Sequence, residues 1–498
     1  MEFAVNIPLF SVILCLLCSA LGAILPEKAA RRVSLCLCGL VAAGFGLLLA
    51  DRIRADAPVT YLMGHAPHPW GNELFFGTLE PLLACVFAVV MLLCLLGGGS
   101  HLLNDLEAGK RKYYYVMCDL MLSALIVLCF TNDVFTGYVF IEIGTVASCG
   151  LLMIRQLGRT TLASVRYLLF SLIGSGLFLL GIILLYAITG HLLMPNLCAS
   201  VAALWKSGQY RTVLLTSICL MTVGLAIKSG LFPFHFWMPD TYGYATPASS
   251  GILSGLVSKG YIVLLLRVIV RVIGADVFYA SGVSLILYGF GAIGVIVGSV
   301  SAMREKDVFR MIAYSSAAQI GYIFMGLGLS PALGTLAAVY HILTHALTKP
   351  PLFLSAAQLT ELAGGRLRKD WRGAGHGNPL AALVFTVSAL SMIGIPLTMG
   401  FVSKYRFAVA AFESTRLLVP TLVVLAVSTI LNTWYFMRVV IRLYLPAEPK
   451  QPRVTLRDQG AFAVSAIAFL ALNIGFGVAA APLVRLIEHS LSLLKEAL

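Results

Sequence analysis

Seven ionisable residues lie well inside apolar runs of helix length: Glu142, Lys228, Lys259, His341, His345, Lys349 and Lys404. A charge at the centre of a membrane helix costs about 2.5–3.5 kcal/mol on insertion scales, and residues that bear this cost mark ion and proton pathways. Glu142 stands in VFIEIGTV, where it either neutralises a buried lysine as a structural pair or modulates that lysine's charge. Lys228 stands in TVGLAIKSGLF, some distance before Pro233, which weakens a snorkelling explanation without removing it. A lysine held between desolvation, which disfavours its charge, and a nearby carboxylate, which favours it, can be switched between charge states. A proton relay needs such a group.

Lys259 lies in SGLVSKGYIV, where Ser254 and Ser258 offer hydroxyls that bind water or the ammonium itself. The alternative is a packing lysine that reaches a carbonyl freed by a broken helix. His341, His345 and Lys349 recur every four residues and so share one helix face over about 12 Å. Three protonatable groups in a stripe read as a proton wire. A metal site is disfavoured because no carboxylate or cysteine joins them. Lys404, in GIPLTMGFVSKYRF, is balanced between relay and snorkelling because Arg406 and a turn are close. His235 and Asp240, in AIKSGLFPFHFWMPD, fall near the cytoplasmic end of their helix. They are candidates for proton uptake or for satisfying the helix break.

The elements that position these residues are membrane helices. Hydrophobic residues make up 59% of the 498 and charged residues 11%, against about 25% charged in soluble domains, and the mean hydropathy is +0.92. About fourteen runs have the ~20 apolar residues a bilayer requires. They start near Phe3, Val33, Leu79, Tyr113, Val134, Ala163, Thr212, Thr246, Ala280, Asp307, Pro331, Pro379, Arg416 and Gly460. The opening MEFAVNIPLFSVILCLLCSALGAIL has no basic leader, and its apolar run is too long for a signal peptide. It reads as a retained first span. The fold class is therefore an all-α integral membrane protein.

The net charge of +13 is not a nucleic-acid footprint. With the N-terminus outside, the odd connections carry Lys28, Arg31, Arg32, Lys110, Arg111, Lys112, Arg155, Arg159, Arg304, Lys306, Arg310, Arg366, Arg368, Lys369, Arg372, Lys450, Arg453 and Arg457. The even ones carry far fewer, although one odd connection, Pro239–Ala245, carries none. The positive-inside rule then places the odd connections in the cytoplasm and both termini outside, in the bacterial or archaeal inner membrane. Segments 195–210 and 483–498 are suited to lie at the outer interface.

Three spans contain helix breakers: Pro233 in the seventh, Lys349-Pro350-Pro351 in the eleventh and Gly394-Ile395-Pro396 in the twelfth. A proline removes a backbone hydrogen bond and clashes with the preceding turn, which a membrane helix tolerates only where protein or water satisfies the freed groups. Discontinuous helices in matching places point to inverted repeats with a transport site between them. The chain divides into three N-terminal spans (1–112), two five-helix repeats (113–273 and 274–445), and a loop with the last span (446–498). The eleven cysteines show no zinc or iron–sulfur spacing and read as unpaired buried thiols. With no dinucleotide fingerprint or haem attachment either, no cofactor is implied, which argues against a quinone oxidoreductase in its own right.

The segment AIKSGLFPFHFWMPDTYGYATPASSGILSGLVSKGYIVLLLRV resembles the central signature of antiporter-like subunits. These occur in respiratory complex I, Mrp-type Na⁺/H⁺ antiporters, and membrane-bound hydrogenases and formate hydrogenlyases. MREKDVFRMIAYSSAAQIGYIFMGLGL, HILTHALTKPPLFLSAAQL and SMIGIPLTMGFVSKY resemble the next three signatures in the family's order, over roughly residues 113–440. The resemblance implies fourteen helices with inverted five-helix repeats and breaks in the seventh and twelfth. It implies a proton path through Glu142, Lys228, Lys259, the histidines His341 and His345, and Lys404. It also implies other membrane subunits as partners, including further antiporter-like ones, with redox chemistry in those partners and Na⁺ as an open second ion. A stand-alone cation/proton antiporter is the alternative. HALTKPPLFL departs from the usual HALFKALLFL, and Ile141 replaces the aromatic that often precedes the glutamate. The lack of a long lateral helix argues against the largest subunit type. Lysine at 404 disfavours the complex I M-type branch, and the histidines suit hydrogenase and Mrp D-like branches better than the N-type.

Overall fold

The structure is a computed structural model that describes residues 2–65, 71–446 and 453–496; Lys450 lies outside them. Helices follow one another with short links: α1 (Ile7–Ile24), α2 (Glu27–Ala55), α3 (Leu79–Gly97), α4 (Arg111–Phe130), α5 (Val134–Met153) and α6 (Gly158–Thr189). Then come α7a (Arg211–Ser229), α7b (Met238–Tyr244), α8 (helical over 247–273), α9 (Val283–Arg304), α10 (Val308–Leu329) and α11 (Leu333–Ala363). The series ends with α12a (Pro379–Ile393), α12b (Met399–Ala411), α13 (Leu418–Tyr444), α14 (Gly460–Val478) and α15 (Ala480–Glu496). Among the described residues, 11 helices are long and apolar enough to cross a membrane. A small departure from all-α is the hairpin Val59–Leu62 with Glu73–Phe76, paired Val59 to Phe76.

Helix starts follow cap chemistry. Asp133 Oδ1 accepts from Thr136 N at 2.6 Å, Asp307 Oδ1 from Phe309 N at 2.8 Å, and Asn378 Oδ1 from Ala381 N at 3.1 Å, which satisfies donors that a helix start leaves free. A set of backbone bonds then recurs at one constant offset. Val134 N donates to Leu192 O and Met194 N to Asn132 O; Val308 N donates to Arg366 O and Arg368 N to Lys306 O. Gly190 and Gly364, at the same offset, end α6 and α11 in the left-handed conformation.

Two breaks fall where the sequence predicts them. Gly230 (φ 79°) ends α7a, and a turn over Phe234–Trp237 leads into α7b. Gly394 (φ 93°) ends α12a before α12b. The third expected break is absent: α11 runs unbroken through Pro350 and Pro351. The physical reason lies on α8. Gly251 and Gly255 face Pro350, and a Cβ on Gly255 would lie 2.8 Å from its ring. The backbone of α8 makes room for the Pro350 ring and winds as a π-turn over Leu253–Val257, the wider geometry that often marks functional positions in helices.

The short helix Met194–Ser207 packs on the end of α8, and α15 packs on α3 and α11, with Ser490 and Thr78 hydroxyls 2.6 Å apart. α8 is buried at every residue; of the helices long and apolar enough to cross a membrane, α10 is the most enclosed and α13 the least.

A chain of buried polar groups in the membrane interior

Lys228 is the penultimate residue of α7a, just before the break, its ammonium fully buried. Nζ donates to Thr145 Oγ1 at 2.9 Å, Ser171 Oγ at 2.9 Å and Ser171 O at 3.2 Å. Glu142 Oε1 stands 3.6 Å away. Two elements thus supply hydroxyls and one supplies the counter-charge: Glu142 and Thr145 are neighbours on one face of α5, three residues apart, and Ser171 comes from α6. Glu142 also shares a helix stripe with Phe135, Val139 and Val146, all exposed on the lateral surface. The carboxylate is therefore partly open while its lysine is closed.

A cavity of about 10 Å³, lined by Lys228, Tyr167, Trp237, Thr241, Tyr242 and Ser258, lies between Lys228 and the end of the π-turn of α8. That is close to the smallest space that holds one water. Ser258 Oγ accepts from Lys259 Nζ at 3.0 Å, and Lys259 also donates to the Ser254 carbonyl inside the π-turn. Ser254 Oγ lies 2.9 Å from Ser316 Oγ on α10. Lys259 is thus tied to Ser258, which lines the cavity shared with Lys228, and to the carbonyl of Ser254, whose own hydroxyl meets α10.

Lys349 donates to Ile312 O at 3.1 Å and to the Ser315 hydroxyl, both on α10. His345 is fully buried, and neither ring nitrogen has a hydrogen-bond partner among the described residues. Lys259 and Lys349 are both charge neighbours of it. Its ring centroid is 6.3 Å from that of His341, whose Nδ1 lies 2.7 Å from Ser403 Oγ on α12b. Lys404, the next residue, donates to Ile393 O at 2.7 Å and Thr429 Oγ1 at 2.9 Å. Ile393 is the last residue of α12a, so the break supplies the acceptor that holds the lysine, as membrane breaks require.

The structure therefore brings together Glu142 with Lys228, Lys259 with the Ser254 carbonyl and Ser258 hydroxyl of its own helix, Lys349 with α10, and His345, His341 and Lys404 in succession. His235 is buried in the α7 turn with both ring nitrogens unpartnered among the described residues, between Phe232 and Phe236. Asp240, on α7b, accepts from Arg166 at 2.7 Å and from Arg310. Arg310 also pairs with Glu305 at 3.0 Å, and Arg366 donates to Gly243 O. These contacts tie α7b to α6, α10 and the link after α11 on the face that carries most of the basic residues.

The sequence reading missed several groups. Thr145, Ser171, Ser315 and Ser403 are ordinary helix hydroxyls until packing aims them at an ammonium or imidazole. Asp119 is buried on α4, 2.8 Å from Ser34 Oγ; its place in YYYVMCDLMLSALIV carried the same signal as the seven chosen residues. Arg267 is buried against Glu80 at 2.9 Å and was legible in the same way.

A family description, NADH:quinone oxidoreductase/Mrp antiporter, transmembrane, matches residues 131–431. The chain is 33% identical over 413 residues to the NADH-quinone oxidoreductase subunit N of Desulforudis audaxviator, covering 82% of this chain and 80% of that one. It is 27% identical over 442 residues to a Na(+)/H(+) antiporter component of Bacillus subtilis, covering 88% and 86%. A chain in the structure of the membrane-bound sulfane sulfur reductase, an archaeal respiratory membrane complex, superposes with a TM-score of 0.87 at 25% identity, covering 99% and 98%. The chain belongs to the NADH:quinone oxidoreductase/Mrp antiporter transmembrane family. It is a multi-pass membrane protein, and its relatives include components of both quinone oxidoreductases and Na(+)/H(+) antiporters.

Proposed function

We propose that this chain is the proton-translocating subunit of a multisubunit membrane complex of the complex I, Mrp or hydrogenase kind, working beside further antiporter-like subunits. Its membrane helices cross fourteen times, as three N-terminal spans, two inverted five-helix repeats (113–273 and 274–445) and a last span (446–498). The recurrence of the Asp133 and Asp307 caps with their paired backbone bonds, and breaks in α7 and α12, support the repeats. The face carrying Arg155, Arg310 and Arg366 is cytoplasmic by the positive-inside rule, with both termini outside.

The observation that carries the mechanism is Lys228, closed from solvent at a helix break and bracketed by two hydroxyls and Glu142 at 3.6 Å. The hydroxyls accept hydrogen bonds from the ammonium and can donate to the neutral amine, so either charge state can be held. Glu142 sets the balance through its own charge, and its open side lets a neighbouring subunit alter that balance. A proton released from Lys228 crosses by way of the cavity at Ser258 to Lys259, then by Lys349, His345 and His341 to Lys404. The unpartnered nitrogens of His345 fit a hydrated segment of this route, because buried polar groups otherwise find partners. His235 and Asp240 are the uptake candidates on the α7 side.

The test is Lys228→Ala in the intact complex, with proton translocation followed in sealed vesicles. Assembly at wild-type level with no pumping is expected. Normal pumping would overturn the relay.

A further inference from the structure

A second titratable site lies on the basic face, away from α7. His101 follows α3 in a short helix, Gly99–Asp105, and is buried. Its Nδ1 stands 3.0 Å from Glu361 Oε1, and its Nε2 is 3.1 Å from Gln358 Nε2. Glu361 and Gln358 both belong to α11, the helix that carries His341, His345 and Lys349. The carboxylate of Glu361 is more than half exposed. Glu361 and Gln358 line a cavity of about 360 Å³ with Asn378, Asp458, Gln459 and Phe462. At about 30 Å³ per molecule that is room for several waters.

We infer that His101 is a proton-loading site through which protons from the cytoplasm reach the α11 side of the relay. The inference rests on the relay reading above. In the neutral imidazole, Nδ1–H donates to Glu361 and the Nε2 lone pair accepts from the Gln358 amide N–H, which is the observed arrangement. Gln358 lies between the cavity and Nε2, so a proton from cavity water reaches Nε2 as that amide swings aside, and the atom then becomes a donor. Gln358 then has to rotate its amide and offer Oε1, while Glu361 balances the new charge. Release of the proton from Nε2 to a water on the α11 side restores the first state, so one proton enters and one leaves and no other bond changes. The site thus has a partner for either form of the imidazole.

Its surroundings favour exchange over mere packing. A half-exposed ion pair adds little stability, so the pair is weak grounds for burying an imidazole. The other charge near it is Asp105, which is paired with Arg155 at 2.9 Å and also near Arg366; Asp458 lines the cavity, and Arg31 packs at Gly99. The open side of Glu361 keeps its carboxylate in contact with water, so its charge is held ready when the imidazole loads. Two elements lead inward from the cavity. One is α11, which runs unbroken to Lys349. The other is α14, which begins beside Gln459 and whose Asn473 donates to Thr348 Oγ1, next to Lys349, at 3.0 Å.

The test uses the intact complex with ¹⁵N-labelled histidine. Infrared difference spectra over a pH titration should show one imidazole titrating together with a carboxylate band. The imidazole band should vanish in His101→Gln, and the coupled carboxylate band in Glu361→Gln. Pumping by His101→Gln should match wild type in acid and fall roughly tenfold or more at alkaline pH, where protons are scarce, a barrier change of about 1.4 kcal/mol. An infrared titration unchanged in both variants, or a pumping loss of equal size at every pH, would overturn the inference. Lys228→Ala in the same vesicles separates the two ideas: normal pumping there removes the relay, whereas the titrating His101 band is judged independently of transport.

Discussion

Lys228 and Glu142 stand 3.6 Å apart across the α5–α7a contact, the ammonium sealed and the carboxylate partly open to the lateral surface. The asymmetry matters. A charge partner that only the lysine feels would be a static structural pair. A partner that a neighbouring subunit can also reach is one whose influence can be changed from outside.

Glu142→Gln keeps the size of the side chain and removes its charge. We expect the complex to assemble and pumping to fall by at least about tenfold, the factor 1.4 kcal/mol represents, measured as acidification of sealed vesicles. A wild-type rate would exclude control of Lys228 by this carboxylate.

The hydroxyls of Thr145 and Ser171 hold the same ammonium. Thr145→Val or Ser171→Ala leaves one donor of a buried cation unsatisfied, worth about 1–3 kcal/mol. The thermal midpoint of the purified complex should drop in each variant. Because both hydroxyls share one partner, the double variant should depart from the sum of the two. Strict additivity would mean that the lysine does not bind them jointly.

Gly400 lies in the first turn of α12b, the second half of the broken α12. A Cβ there would lie 1.7 Å from the Ser391 carbonyl oxygen, so the two halves of the helix could not overlap as they do. Gly400→Ala should destabilise by about 1–3 kcal/mol or more, the range for overpacking, and lower the amount of chain in the membrane. Gly158→Ala, where a Cβ would meet nothing, is the control and should accumulate normally.

Glu305 gives a pH prediction on the basic face. Burial alone would push its carboxyl up, but the Arg310 side chain and the amides of Asp307 and Lys306 outweigh that and hold it below the ordinary value of 4.5. A carboxyl depressed in the folded state contributes stability above its unfolded value, and that contribution is lost as pH falls through the folded one. Stability should therefore decline below about pH 4.5, with a shallower decline in Glu305→Gln, seen in melting curves at several pH values. Identical pH dependence in the two proteins would show that the Arg310 pairing does not set it.

Much of the framework was legible in the residues. Apolar length, basic connections, and a proline or glycine in the seventh and twelfth helices set where the helices lie and where two of them break. The intramembrane charges announced themselves because a charge in lipid is costly. The Pro350-Pro351 pair shows the limit of such signals. The same rule that marks the breaks at Pro233 and Pro396 also marks a break here, yet α11 continues, with Gly251 and Gly255, nearly a hundred residues earlier, giving the Pro350 ring space.

The sequence alone determined that this is a polytopic membrane protein carrying protonatable groups in its interior, because hydropathy and charge are properties of each segment by itself. Only the tertiary structure decided which groups meet: that Glu142 pairs with Lys228, that Ser403 meets His341, that the carbonyl freed at Ile393 holds Lys404, and that His101 reaches Glu361. A hydroxyl or an imidazole carries no mark of its partner in the local sequence. Partnership is set by how helices far apart in the chain pack, over distances of a few ångströms that no periodicity encodes.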